Sequence, residues 1–263
     1  MLRLVGRIIA KAFAVRGAAH LRNGDASEAI QAFAKVIKLD PTNPVGYVGR
    51  ADAYLLADDH DRAIADYTTV IEGSPRATNV YMSRGTMYYH KGDYDRALAD
   101  YTTSIENDPT EPIRYMVRGG LYEELAQYDR AIADYTRSAQ INPGDFRHLR
   151  ARADAYERIG DHARATADYE SVLKLASPSG GAIACQTRAW AFLKLGQFDE
   201  ALSSVQKAFE FGPNNPIAME VRGHIFEALG RRSEAISDFQ QALDSNPRMT
   251  KSAEALRRLT RDP

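Results

Sequence analysis

Arginine recurs at one position of a long period seven times, as Arg16, Arg50, Arg84, Arg118, Arg152, Arg188 and Arg222. The interval is 34 residues except between Arg152 and Arg188, where it is 36. Aspartate stands 16 residues later in five cases, at Asp66, Asp100, Asp134, Asp168 and Asp238. Such a register allows two chemistries. Unpaired guanidinium groups would form a cationic stripe for an anionic ligand. Paired with carboxylates they would form a ladder of bidentate ion pairs between neighbouring helices, their stems packed over apolar surface. The co-occurring aspartates favour the ladder, with Arg50, Arg84, Arg118 and Arg152 facing Asp66, Asp100, Asp134 and Asp168. Ala32 and Ser204 occupy the carboxylate position after Arg16 and Arg188, which predicts two unpaired rungs. Partly buried pairs of this kind set register more reliably than they add stability.

Other reactive residues are scattered. The six histidines (His20, His60, His90, His148, His162 and His224) show no metal-ligand spacing, and no Cys-x-x-Cys exists. Cys185 is the single cysteine, so an intramolecular disulfide is excluded, and it falls at a position expected to be a core thiol rather than a nucleophile. Ser179-Gly180-Gly181 is read as a flexible joint, not a phosphate-cradling loop. No catalytic constellation, cofactor site or metal site is expected. Lys plus Arg is 34 and Asp plus Glu 35, a net charge of −1 that gives no global reason to bind nucleic acid or an anionic membrane.

The elements that must carry these residues are legible from a second recurrence. Ala29, Ala63, Ala97, Ala131, Ala165, Ala201 and Ala235 mark units at 10–43, 44–77, 78–111, 112–145, 146–179, 182–215 and 216–249. Each unit reads as two amphipathic helices: Tyr47, Val48, Ala51 and Tyr54 lie at helical spacing in one, and Ala63, Ile64, Tyr67, Val70 and Ile71 in the next. Pro41, Pro75, Pro109, Pro143, Pro213 and Pro247 stop the second helices, because proline disfavours helical geometry in the preceding residue. Gly17, Ala51, Gly85, Gly119, Ala153, Ala189 and Gly223 are small residues expected to face the alanine of the second helix. Residues 1–9 form a lead-in, in which Leu4, Ile8 and Ile9 are expected to help cover the end of the first helix. A basic amphipathic transit segment is the competing reading there. Residues 250–263 carry Ala253, Leu256 and Leu259 at helical spacing, with Arg257, Arg258 and Arg261 outward, and read as a capping helix.

Small residue, aromatic, alanine, aromatic and proline at these offsets resemble the tetratricopeptide repeat family over about residues 10–249. The resemblance implies an all-α, right-handed superhelical solenoid of seven helix-turn-helix units, with a concave groove lined by the first helices. It implies a non-catalytic protein–protein interaction scaffold that takes a peptide or partner segment in that groove. Three departures stand out: Ser177 at the fifth proline position, Val205 at the sixth second-helix aromatic position, and His20 at the first first-helix aromatic position.

By the same resemblance, groove positions are held by Val48, Asp52, Met82, Thr86, Tyr89, Met116, Glu123, Arg150, Asp154 and Trp190. Met82 and Met116 are expected to be exposed there as adaptable apolar anchors, and Trp190 to serve either as a hot-spot anchor or as a stacking residue. The lysine and asparagine with which co-chaperones of this family grip chaperone tails are absent, so that ligand is not expected. The remaining readings are an adaptor or regulatory subunit docking through its convex face or its ends, and an RNA-binding helical-repeat protein. The 34-residue period and near-neutral charge argue against the last. A cytoplasmic protein with no nucleic-acid or membrane partner is expected, monomeric or weakly self-associating.

Overall fold

The computed structural model describes residues 2–261, with side chains from Val5 onward. Among the described residues there are fifteen α-helices and no strand. In order they are α1 (Leu2–Asn23), α2 (Ala26–Leu39), α3 (Pro44–Leu56), α4 (His60–Gly73), α5 (Thr78–His90), α6 (Tyr94–Asn107), α7 (Pro112–Glu124) and α8 (Tyr128–Ile141). There follow α9 (Phe146–Arg158), α10 (His162–Leu175), α11 (Gly181–Lys194), α12 (Phe198–Phe211), α13 (Pro216–Ala228), α14 (Arg232–Ser245) and α15 (Thr250–Arg261). They group into two compact units, α1 to α7 and α8 to α15, dividing between Glu124 and Leu125. Within each unit, consecutive helices pack side by side, so that the chain is an all-α repeat solenoid.

The repeat chemistry explains the boundaries. Asp40, Ser74 and Asp108 adopt ψ of 85°, 82° and 97° immediately before proline and end α2, α4 and α6. Asp59, Asp93 and Asp161 cap α4, α6 and α10, each carboxylate accepting from the backbone N–H of the arginine three residues on. That arginine (Arg62, Arg96 or Arg164) also donates Nε to the capping carboxylate at 2.6 Å. It lies over Tyr54, Tyr88 or Tyr156, 4.5, 4.6 and 4.8 Å from the ring centroid. The cap thereby fastens the second helix to the first.

All seven anchor alanines are fully buried. Ala51, Ala153 and Ala189 share core clusters with Ala63, Ala165 and Ala201, whereas three of the glycines have an aromatic ring as their nearest neighbour. A Cβ on Gly17 would lie 2.7 Å from the Phe33 ring, one on Gly85 2.7 Å from Tyr101, and one on Gly223 2.8 Å from Phe239. The glycine makes room for the aromatic one turn beyond the alanine, because the ring spans the gap that an alanine methyl cannot reach.

The ends differ from expectation at one point. Residues 2–9 continue α1 without a break, but Ile8 and Ile9 are exposed; the Leu4 side chain lies outside the described residues. At the other end, α15 buries Ser252 and Ala255 and lays Leu256 and Leu259 against Ala235 and Phe239. Positions 262 and 263 of the expected cap lie outside the described residues.

Between α5 and α6 the chain turns through Gly92 at φ +74°, with Gly92 N–H donating to Tyr89 O and Asp93 N–H to Tyr88 O, a Schellman closure. Ala126 holds φ +56° between α7 and α8, where its Cβ is strained. Ala126→Gly is therefore expected to raise stability by about 0.5–1 kcal/mol, and Gly92→Ala to lower it by a similar amount. Urea unfolding of the two variants checks both signs.

Candidate partner-binding faces

The recurring guanidinium ties the two helices of a repeat together, and at Arg84 and Arg152 it joins three helices. Arg50 donates Nε and Nη2 to the two oxygens of Asp66 at 2.8 and 2.7 Å, and Arg84 grips Asp100 at 2.8 and 2.8 Å. Arg152–Asp168 and Arg222–Asp238 repeat the fork at 2.8 and 2.7 Å. The third nitrogen, Nη1, reaches back to the preceding second helix: Arg84 to Thr68 at 3.0 Å, Arg118 to Thr102 at 3.1 Å and Arg152 to Thr136 at 3.1 Å. Asp134 is buried on α8. The carboxylate hydrogen bond holds each of Arg50, Arg84, Arg152 and Arg222 above the ordinary arginine range, against the opposing cost of burial. The threonine contact was not anticipated, although Thr68, Thr102 and Thr136 recur at the repeat period.

The two rungs without an aspartate have other partners than a carboxylate. Arg16 sets its Nε 3.4 Å from His20 Nε2, and Arg188 donates Nη1 to the carbonyls of Leu173 and Ala176 at 2.8 and 2.9 Å. Arg188 thus caps the carboxyl end of α10, where the helix dipole favours a cation.

In the first unit, the groove positions are partly committed to structure. Tyr67 Oη donates to Asp52 at 2.6 Å, and Tyr101 Oη to Thr86 at 3.4 Å, so these first-helix side chains anchor the second helix. Burial raises the Asp52 carboxyl despite that bond, and burial and Asp52 together push the Tyr67 phenol up. Tyr89 donates to Glu124 at 2.7 Å, joined by Tyr94 at 3.1 Å, and its phenol is pushed up to about 12, chiefly by that carboxylate. Val48 packs against the core cluster of Ala51, Tyr54, Ala63 and Tyr67. Met82 and Met116 are half-buried, not exposed, and Glu123 is half-buried as well. The exposed apolar groups of these first helices are instead Val45, Leu55, Leu56 and Ile113.

In the second unit a different arrangement centres on Trp190. Its Nε1–H donates to Asp154 at 2.9 Å, and the same carboxylate oxygen accepts Tyr169 Oη at 2.6 Å. Arg150, Lys194 and Lys251 place their charges 5.5, 5.1 and 5.9 Å from the tryptophan ring. Among the described residues Lys194 and Lys251 make no ion pair, and Arg150 touches Asp154 only at 3.4 Å. Three buried nitrogens on the same run of first helices lack hydrogen-bond partners: Arg150 Nε, Gln186 Nε2 and His224 Nε2. His224 lies edge-on to both Trp190 and Phe239, at 5.6 and 4.9 Å. Lys251 could not have been found from repeat offsets, because it comes from α15, outside the repeated pattern.

Cys185 is buried, donates to Pro178 O, and has its thiol pushed up by burial. Among the described residues no three His, Cys, Asp or Glu side chains gather as a metal site, and no helix is long and apolar enough to cross a membrane.

The geometry and the repeat chemistry agree with the comparisons. Tetratricopeptide repeat models match residues 48–112, 118–180 and 187–250, and a second model of the same description matches 10–43. The chain belongs to the tetratricopeptide repeat family, whose members are protein-interaction scaffolds. No curated protein matches it. A tetratricopeptide repeat protein from Parabacteroides merdae ATCC 43184 has a similar structure, with a TM-score of 0.74, 20% identity, and coverage of 95% of this chain and 98% of that one. The APC/C hetero-tetramer Cut9–Hcn1 gives a TM-score of 0.66 at 15% identity over 94% of this chain and 48% of that one. MamA from Desulfovibrio magneticus RS-1, residue 41 onward, gives 0.58 at 19% identity over 63% and 94%. At these identities the likeness is one of fold.

Two outcomes test the electrostatics. Asp100→Ala strands the Arg84 guanidinium, which is only 16% exposed, and is expected to cost about 3 kcal/mol. Arg84→Leu combined with Asp100→Leu removes both charges and should cost less in the same urea titration; equal costs would mean the charges are uncoupled. Burial also holds the His148 and His224 imidazoles below the ordinary histidine range. Because the unfolded chain then binds more protons, stability falls as pH drops below about 6.5, until the folded imidazoles protonate. A urea midpoint that declines from pH 8 to pH 5.5, and declines less in His224→Gln, is the expected result.

Proposed function

We propose that this chain is a non-catalytic scaffold of seven repeats capped by α15, and that it binds an extended segment of a partner protein on its first helices. The observation that carries this reading is the Trp190 patch. A half-buried aromatic, three cations without a strong carboxylate partner, and buried nitrogens with no hydrogen-bond partner form an incomplete polar network. Leaving buried donors unpaired costs about 1–3 kcal/mol each, and an incoming peptide carbonyl or carboxylate removes that cost. Aromatic and arginine side chains are the usual anchors of such interfaces. The ligand favoured here carries acidic side chains beside an apolar one. Val45, Leu55, Leu56 and Ile113 offer apolar anchor points on the first helices of the other unit.

Docking through an end of the array is the second reading, supported by Val5, Ile8, Ile9 and Val15, all exposed on α1.

Lys194→Glu with Lys251→Glu reverses two exposed charges without touching the core. Peptides selected on the wild type by display should bind this variant at least ~10-fold more weakly, with far-ultraviolet circular dichroism unchanged. Retained binding would remove the Trp190 patch from the interface. Loss of a captured partner only in Ile8→Glu with Val15→Glu would transfer the interface to α1.

A further inference from the structure

The arginine fork supplies its own template for a ligand site. At Arg50, Arg84, Arg152 and Arg222, Nε and Nη2 hold the two oxygens of one carboxylate. Nη1 serves the preceding helix in Arg84 and Arg152. At Arg188 the same division of labour is kept on one side only. Nη1 is fully engaged by the carbonyls of Leu173 and Ala176, while Nε and Nη2 have no hydrogen-bond acceptor among the described residues. The residue that should supply the carboxylate is Ser204, whose hydroxymethyl group is too short to reach a fork built for aspartate.

The missing carboxylate leaves space. A pocket of about 170 Å³, between α11, α12 and the loop after α10, is lined by Arg188, Ser203, Ser204 and Lys207, with Phe192 and Pro178 as its apolar wall. Phe192 also lies under the Arg188 guanidinium, 5.2 Å from ring centroid to carbon, which holds the fork in orientation. Glu200 lines the same pocket, so two cations and one carboxylate leave a net charge of +1. That balance fits a monoanion. By volume the pocket holds about six waters, enough for a carboxylate with a short alkyl chain. Arg16, the other arginine without an aspartate, turns its Nε to His20, so loss of the carboxylate alone does not leave a free fork.

We propose that the Arg188–Ser204 pocket binds a short monocarboxylate, whose two oxygens take the Nε and Nη2 positions occupied by aspartate in the other repeats. Ser204 and Lys207 donate to the same head group, and the alkyl chain lies along Phe192 and Pro178. The site is on α11 and α12 and is independent of the Trp190 patch.

Butyrate is the probe, titrated calorimetrically at constant ionic strength in chloride, with butyramide and inorganic phosphate as comparisons. The Arg188 Nε–H signal is followed by nuclear magnetic resonance. The expected result is saturable butyrate binding that moves the Arg188 signal, none by butyramide, and weaker binding by phosphate. Ser204→Asp restores an internal carboxylate and should reduce butyrate affinity at least ~10-fold while raising the unfolding temperature. Should Ser204→Asp fold poorly, Arg188→Lys keeps the charge but not the fork and is expected to weaken binding by a similar factor. Absence of butyrate binding, equal affinity in wild type and Ser204→Asp, or equal response to phosphate would each overturn the assignment.

Discussion

The bidentate Arg–Asp fork is the constraint on which the rest of the repeat depends. Apolar burial drives the helices together but is non-directional, and small alanines at the contact allow sliding and rotation. The guanidinium removes that freedom. Its planar donors reach Asp66 from Arg50, or Asp100 from Arg84, only when first and second helices have one relative rotation. Through Nη1 the same plane fixes the preceding second helix by way of Thr68, Thr102 or Thr136. Desolvating the charges offsets much of their attraction, so the fork contributes register more than free energy. Its half-buried depth, beneath aromatic rings such as Tyr47 and Tyr54, lets the ion pair stay hydrogen-bonded without full loss of hydration.

Much of this was legible in the sequence because it is periodic. The alanine and proline recurrences located helix pairs and their ends, and the interval of 16 residues between Arg and Asp pointed to the ion pair. What escaped was chemistry whose residue type has ordinary alternatives. Threonine in a helix is unremarkable, so its hydrogen bond to arginine was invisible. Asp59, Asp93 and Asp161 lie outside the recurrences used to place the helices, yet each caps a helix and holds an arginine. Glycines in the first helices signal close approach without naming the neighbour, which is the ring of Phe33, Tyr101 or Phe239.

The candidate faces were less legible than the fold. Offsets place a side chain on a helix face but not at a depth. Met82 and Met116 therefore read as exposed but are half-buried, and Asp52 and Asp154, assigned to the groove, each accept a tyrosine hydroxyl from the second helix. Lys251 reaches Trp190 from a helix that obeys no repeat rule.

Function in such an array is to be sought where the repeated solution is left incomplete. A repeat that closes all its polar groups has no chemistry left for a ligand, since each donor already has its acceptor at 2.6–2.8 Å, as in Tyr67–Asp52 and Arg50–Asp66. Where one partner is substituted and the other kept, the kept group carries an unmet demand. Ser204 in place of aspartate does this to Arg188, and Trp190 does it in a second way, occupying with an indole the position that Asp52 fills in α3. The indole spends its single donor on Asp154 and has no acceptor to offer, so the cations around its ring must find carboxylates elsewhere. Both departures lie in the helix pair α11–α12, directly after the two-residue insertion that carries Gly181 at φ +86°. The joint that interrupts the period is followed by the repeat that interrupts its chemistry.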